Sequence, residues 1–159
     1  MAQTTPFTWY GDNAPGIPGM VANSTVKTIR SYAAQTGFNA GALLIAGTDP
    51  EGQVTPATAA AQKPVGVSAY EPDGNVINEF YYPQGATVPV LTYGDIWVAA
   101  GGAITAGTAV GYDIANGFIT ATETTPSGNV YLTTAAQKGD MVMVHIANPE
   151  AIVVSNTEG

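Results

Sequence analysis

Residues 88–122, VPVLTYGDIWVAAGGAITAGTAVGYDIANGFITAT, carry the pattern that predicts the fold. On both sides of Gly94-Asp95 the side chains alternate with a period of two, which is typical of a pleated strand and not of a helix. Gly94-Asp95 and Gly101-Gly102 are predicted turns, because glycine adopts a positive φ at little cost. Asn116-Gly117 lies between two strand-like segments and predicts a β-hairpin. The stretch therefore predicts four short antiparallel strands.

The composition fits one β-rich domain. The chain has 159 residues, of which 10% are charged and 45% hydrophobic, with 19 glycines and 11 prolines. An average soluble domain has about 25% charged residues, so a surface this poor in charge predicts that copies of the chain cover one another. No apolar run approaches the ~20 residues that a membrane-spanning helix needs, so no membrane segment is expected.

Charge and cysteine content exclude several classes of partner and site. The net charge is −8 with only four basic residues, which disfavours nucleic acid and anionic membranes as partners. The chain has no cysteine, so neither a disulfide framework nor a thiolate metal site is possible. The first ten residues lack the basic and apolar regions of a signal peptide, which predicts synthesis and folding in a cytoplasm.

The first 23 residues differ in composition from the rest. Prolines and glycines interrupt any regular element, yet Phe7, Trp9 and Tyr10 lie among them. Two interpretations stay open: an arm folded back on its own domain, or an extended arm that docks on a neighbouring subunit through its aromatic side chains. We favour the docking arm, because polar and turn-forming residues surround the aromatic ones. Residues 24–159 would then form a single β domain whose last strands fall within residues 129–154.

Further strands and turns follow from local composition. Residues 24–34 favour a strand because they are rich in β-branched side chains, although their apolar spacing of three also fits a short helix. DPEG at residues 49–52 and EPDG at residues 71–74 predict type I turns; their paired carboxylates lack the spacing of a calcium loop. Other predicted strands are residues 42–46, 64–70, 76–82, 130–133, 141–147 and 151–154.

A faint internal repeat predicts the architecture. An Ala-Gly turn leads into an apolar strand at residues 39–44 and again at residues 105–110. The tetrapeptide AAQK precedes a strand at residues 60–63 and again at residues 135–138. Two related β units of this kind predict an all-β fold, either a small antiparallel β-barrel or a β-sandwich, with the extended N-terminal arm attached.

The sequence offers little for catalysis. His145 is the only histidine, so a histidine-based metal site is unsupported. The structural interpretation of His145 is a partly buried imidazole with a local hydrogen bond. The nearest approach to a nucleophile elbow is the segment around Ser68, which lacks the second glycine and the following helix. Acidic residues that could form a glycosidase pair lie mainly in turns. The aromatic stripe at Tyr93 and Trp97 is more typical of core or subunit contact. We therefore predict no catalytic, cofactor-binding or metal-binding residue.

Four segments in their order along the chain resemble the structural cement, or capsid decoration, proteins of tailed bacteriophages. They are AGALL (residues 40–44), PVGVS (64–68), VLTYGDIWV (90–98) and ITAGTAV (104–110). The resemblance covers about residue 26 to about residue 122. It implies an all-β, non-enzymatic virion protein that binds the outside of an assembled capsid, often as a homotrimer, and clamps neighbouring major capsid subunits.

In that interpretation Phe7, Trp9 and Tyr10 contact the capsid, while Tyr93 and Trp97 are possible oligomer contacts. The alternative is a carbohydrate-binding or adhesive β module in which Trp97, Tyr93 or Tyr112 stacks on sugar. A third hypothesis is a small hydrolase that uses His145.

Overall fold

The structure is a computed structural model that describes residues 16–22, 26–70, 81–122 and 126–157. The predicted all-β class is confirmed, since the only helical segment in these ranges is a single 3-10 turn at Pro149–Ala151. No helix among the described residues is long and apolar enough to cross a membrane. The strands are β1 (Thr28–Ala34), β2 (Phe38–Asn39), β3 (Leu43–Ala46), β4 (Gln53–Pro56), β5 (Pro64–Ser68), β6 (Tyr81–Tyr82), β7 (Thr87–Ala99), β8 (Ala109–Asp113), β9 (Gly117–Ala121), β10 (Val130–Tyr131), β11 (Met141–Ile146) and β12 (Val153–Ser155).

Five strands close into a barrel, which decides between the two predicted architectures. The order is β1-β4-β3-β5-β7, and antiparallel pairing of β1 with β7 completes the circle. β1 and β4 are parallel, and they pair only at Ala33 and Ala34 of β1. Leu44, Val54 and Val88 belong to one buried cluster formed mainly by these strands. Burial of such side chains away from water is the main force that stabilises the barrel.

The second half of β7 belongs to another sheet and another core. Beyond β7 the order continues through β11, β10, β8 and β12, with β9 paired to β8. Ile96, Val98, Val142, Val144 and Phe118 are fully buried or nearly so in the larger hydrophobic cluster. β11 alternates buried and half-buried residues along its length, as its sequence predicts. β7 therefore contributes side chains to both cores.

The prediction of a turn at Gly94-Asp95 is wrong. β7 runs as one strand of 13 residues through this position. Its pairing with β1 shifts register between Thr28 and Ile29, so that β7 carries one extra residue there. Gly94 has φ +133° and lies close to Lys27, a backbone conformation and a proximity that favour glycine. Gly94 thus permits an irregular backbone conformation in β7. The strand stays continuous because β1 pairs with β7 before this position and β11 pairs with it from this position onward.

Three other local predictions are confirmed. Asn116-Gly117 closes the β8–β9 hairpin, in which Gly117 has φ +105° and pairs with Asp113 across a three-residue loop. Residues 49–52 form a turn, in which the Asp49 carboxylate accepts a hydrogen bond from the backbone N–H of Glu51 at 3.2 Å. The strand in residues 24–34 is confirmed as β1, whereas β2 and β4 were not predicted. The predicted turn at residues 71–74 and most of the strand at residues 76–82 lie outside the described residues.

In both copies of the internal repeat the Ala-Gly turn ends at a glycine of positive φ and leads into a hairpin. Gly41 (φ +83°) ends the turn before β3, and Gly107 (φ +92°) ends the turn before β8. Each following strand forms a hairpin with the next one, β3 with β4 and β8 with β9. The first copy contributes to the barrel and the second to the other sheet, and β7 joins them.

Candidate partner-binding surfaces

The segment of residues 16–22, the end of the predicted arm, is hydrogen-bonded along β7. The backbone N–H of Gly19 donates to the carbonyl oxygen of Trp97 at 2.8 Å. The N–H of Ala22 donates to the carbonyl oxygen of Asp95 at 3.0 Å. This segment runs antiparallel to β7 and continues the line of β1 along it. We call residues 16–22 the arm root, because in the sequence they directly follow residues 1–15 of the predicted arm.

Close packing fixes the arm root. Gly16 lies against the indole of Trp97, and a Cβ added at Gly16 would come within 2.3 Å of ring carbons. Gly19 has φ +83°, and a Cβ there would lie 2.8 Å from Ala40 Cβ and from the Tyr70 backbone nitrogen. Both positions therefore require glycine. Residues 1–15, with Phe7, Trp9 and Tyr10, lie outside the described residues, so the division at residue 23 and the docking role of the arm stay predictions.

Tyr93 and Trp97 have different surroundings. Tyr93 is 39% exposed, and its ring lies edge-on to His145 with centroids 5.4 Å apart. Trp97 is half-buried beneath the arm root. Tyr112, the third aromatic residue proposed for sugar stacking, is half-buried and packs edge-on against Phe118 at 5.0 Å. Each ring thus packs against a different neighbour, and of these three aromatic residues only Tyr93 is exposed.

One surface that the sequence analysis missed is the outer side of β1. β4 pairs only with the last two residues of β1, so residues 28–32 have β7 on one side and no strand of the described chain on the other. Val26, just before β1, is 81% exposed and Ile29 is 42% exposed. We call the outer side of residues 28–32 the open edge. Its signal in the sequence is a β-branched segment that carries two cations, Lys27 and Arg30.

A cleft lies beside the arm root. It has a volume of about 440 Å³ and is lined by residues of the arm root, the turn before β3, the end of β7 and the β8–β9 hairpin. Lys138 lies at its wall, where its Nζ donates a hydrogen bond to Asn116 Oδ1 at 3.3 Å. Most of the lining is small or aromatic, and no second charged residue lines it among the described residues.

The residues considered for hydrolysis do not meet. His145 Nδ1 lies 2.6 Å from Asp95 Oδ1, within hydrogen-bonding distance. Ser68 is fully buried, and its hydroxyl donates to the carbonyl oxygen of Asn39 at 3.0 Å. Ser68 pairs with Val90 of β7 whereas His145 pairs with Asp95, which separates the two by roughly 17 Å along the strand. His145 therefore has the local hydrogen bond that its structural interpretation predicts, and Ser68 is a structural residue.

Buried polar groups hold the framework around these surfaces. Asp113 accepts hydrogen bonds from the backbone N–H and the hydroxyl of Thr157 and from the side chain of Asn116. The Thr157 N–H is the main cause of a lowered pKa at Asp113, with burial acting in the opposite direction. Burial raises the pKa of Tyr131, whose hydroxyl donates to the Ile119 carbonyl oxygen at 2.6 Å. These bonds tie β12 and β9 to the second sheet.

Comparisons with known proteins place this fold among phage structural proteins. The family model described as "Structural cement protein (E217 gp24/Pam3 gp6)" matches residues 6–147. The head fiber gp8.5 N base of bacteriophage phi29 superposes with a TM-score of 0.54 and 16% identity, over 79% of this chain and 98% of that chain. A chain from the capsid of Myoviridae phage XM1 superposes with a TM-score of 0.57 and 14% identity, over 85% and 92% of the two chains. No curated protein matches the sequence. At these identities the two structures share the fold with this chain.

Proposed function

Because the chain belongs to the phage structural cement protein family, we propose that it binds the outside of an assembled capsid and clamps neighbouring major capsid subunits. The single observation that carries the proposal is the family match over residues 6–147. The protein acts by holding subunits together and so stabilises the head, without chemical change to any molecule. The separation of Ser68 from the His145–Asp95 pair supports this non-enzymatic role.

The architecture supports a clamp. A closed barrel leaves few free strand edges, and β7 joins the barrel to the second sheet through one continuous backbone. Such a domain transmits load between two contact points with little deformation, because packed protein interiors have low compressibility. A net charge of −8 suits a surface that faces away from packaged DNA.

The arm and the oligomer supply the reach of the proposed clamp. Residues 1–15 extend to about 50 Å when fully stretched, enough to cross onto an adjacent subunit. Phe7, Trp9 and Tyr10 are the proposed anchors on the capsid. A homotrimer would present three arms at once, so each contact can be individually weak. We propose Tyr93, which is exposed, as the better candidate than Trp97 for a subunit contact, because the arm root already covers Trp97.

Capsid binding and head stability test the proposal. Heads purified from a phage mutant that lacks this protein are mixed with the wild-type protein, and co-sedimentation and the temperature of DNA release are measured. We expect the wild-type protein to co-sediment and to raise the release temperature. The proposal would be overturned if the protein does not bind capsids, stays monomeric in sedimentation and binds glycans. That result would favour the carbohydrate-binding module.

Two truncations separate the arm from the domain. Deletion of residues 1–15 should abolish capsid binding with little change in Tm, because the arm root stays in place. Deletion of residues 1–22 also removes the hydrogen bonds of Gly19 and Ala22 to β7 and should lower Tm as well. If deletion of residues 1–15 leaves capsid binding unchanged, the arm is not the capsid contact.

A further inference from the structure

We infer that the open edge of β1 is a second capsid contact, which binds an extended, acidic segment of the major capsid protein as an added strand. This inference rests on the proposed function and names the chemistry of the partner at a site distinct from the arm. An exposed strand edge is a template for pairing with another chain, since its backbone groups have no partner in the sheet.

The backbone direction along β1 identifies the free groups. The N–H of Ala34 donates to the carbonyl oxygen of Ala86, at the β7 side, and the N–H of Ala33 donates to Gly52, at the β4 side. Successive residues of a strand alternate in this direction. Ser31 and Ile29, two and four positions before Ala33, therefore direct their N–H and C=O groups away from β7. β4 does not pair with Ile29 or Ser31, since its pairing with β1 starts at Ala33.

The side chains of the open edge favour a protein partner. Val26, just before the open edge, and Ile29 within it are large apolar residues exposed by 81% and 42%. Exposed apolar side chains beside an unpaired strand edge favour contact with another chain. Natural edge strands are usually protected by proline, by a bulge or by a covering segment. β1 has no proline and, over residues 28–32, no covering strand among the described residues; Arg30 and the shift in register against β7 at Thr28 are its protecting features.

Charge indicates the chemistry of the occupant. Lys27, directly before the open edge, and Arg30 within it are two of only four basic residues in a chain of net charge −8. Glu150 shares a recess of about 260 Å³ with Arg30 but forms no ion pair with it within 4.0 Å. An acidic segment is therefore complementary to this edge. A second copy of β1 is disfavoured, because antiparallel pairing of two such edges would oppose like charges.

A proline substitution tests the edge with a matched control. Ser31→Pro removes the outward N–H and places a ring in the path of an added strand, whereas the pairing with β7 does not use this N–H. Ser31→Ala keeps the N–H and removes only the hydroxyl. We expect Ser31→Pro to weaken binding to heads about tenfold, the loss expected for one or two backbone hydrogen bonds, and Ser31→Ala to bind like wild type. Equal binding by all three proteins would overturn the inference and leave the proposed function standing.

A charge substitution keeps the inference testable should Ser31→Pro fail to fold. The double variant Lys27→Gln/Arg30→Gln should bind about tenfold more weakly at low salt and lose this difference at high salt. Lys63→Gln, at an exposed lysine before β5, is the single-charge control. An unchanged affinity of the double variant would argue against an acidic partner. Failure of wild-type protein to bind heads at all would overturn both the inference and the proposed function.

Amide hydrogen exchange identifies the occupant. The amides of Ile29 and Ser31 should exchange rapidly in the free protein and slowly on the capsid. Slow exchange in the free protein that becomes fast after deletion of residues 1–15 would assign the edge to the chain's own arm. Slow exchange that depends on protein concentration, with a larger mass in sedimentation, would assign it to a second copy. Either result overturns the inference.

Discussion

Replacement of Ser68 by alanine is expected to destabilise the domain, because the Ser68 hydroxyl joins β5 to the turn before β3. It accepts a hydrogen bond from the N–H of Ala42 at 2.9 Å and donates one to the carbonyl oxygen of Asn39 at 3.0 Å. The backbone of Ser68 bonds the same turn, since its carbonyl oxygen accepts the N–H of Gly41 at 2.7 Å. The turn that leads into β3 is therefore fixed to β5 mainly at this residue, and the arm root packs against that turn.

The size of the effect follows from the two groups that would lose their partner. A buried polar group without a hydrogen bond costs about 1–3 kcal/mol, and both of these bonds are only partly buried, so the lower limit applies to each. Ser68→Ala should thus lower the free energy of unfolding by about 2 kcal/mol. For a domain of this size that corresponds to a fall in Tm of about 4–8 °C.

Calorimetry of Ser68→Ala beside Ser31→Ala measures this effect against a matched control. Ser31 is exposed, so removal of its hydroxyl should change the free energy of unfolding by less than about 0.5 kcal/mol. Equal Tm values for the two variants would refute the assignment of Ser68 as a structural junction. A loss of esterase activity in Ser68→Ala without a loss of stability would instead revive the hydrolase hypothesis.

Three further predictions concern the arm root and the second sheet. Gly19→Ala should destabilise the fold by about 1–3 kcal/mol in denaturant unfolding, since alanine is strained at φ +83°. The folded-state pKa of Asp113 lies below its ordinary value of 3.8, so the stability that this carboxylate contributes is present above pH 3.8 and is lost as the pH falls through the lowered pKa. Asp113→Asn should therefore lower Tm at neutral pH and make Tm fall less steeply in acid. An unchanged dependence of Tm on acid pH would contradict this sign. Tyr131→Phe should cost about 1–2 kcal/mol by leaving the carbonyl of Ile119 without its hydroxyl donor, as thermal unfolding can measure.

The fold was predictable wherever a local pattern and the tertiary contacts agree. The β8–β9 hairpin forms because Asn116-Gly117 supplies its turn, and β11 keeps the alternation of its sequence because one of its faces packs on the core. Gly94-Asp95 has the composition of a turn, but pairing on both sides of β7 keeps the chain extended there. β12 pairs in parallel with the distant β8, and no local signal specifies such a contact.

The partner surfaces were less predictable, because they depend on what remains uncovered after folding. The proline- and glycine-rich composition of residues 16–22 indicates an irregular arm, yet this segment bonds to β7. The open edge arises because β4 begins at Gln53 and reaches only the end of β1, a difference in strand length that alternation does not encode. Trp97 has the aromatic ring expected of an oligomer contact, but the arm root packs against that ring.

The antiparallel arrangement of the arm root on β7 has a mechanical consequence. A pull on the chain before residue 16, directed along the strand, loads the bonds of Gly19, Trp97 and Ala22 in shear and at the same time. A pull across the strand would open them one after another, at a much lower force. The hydrogen bonds between the arm root and β7 thus resist tension along β7 most strongly. Optical-tweezer rupture forces measured along β7 and across it would give the size of this difference.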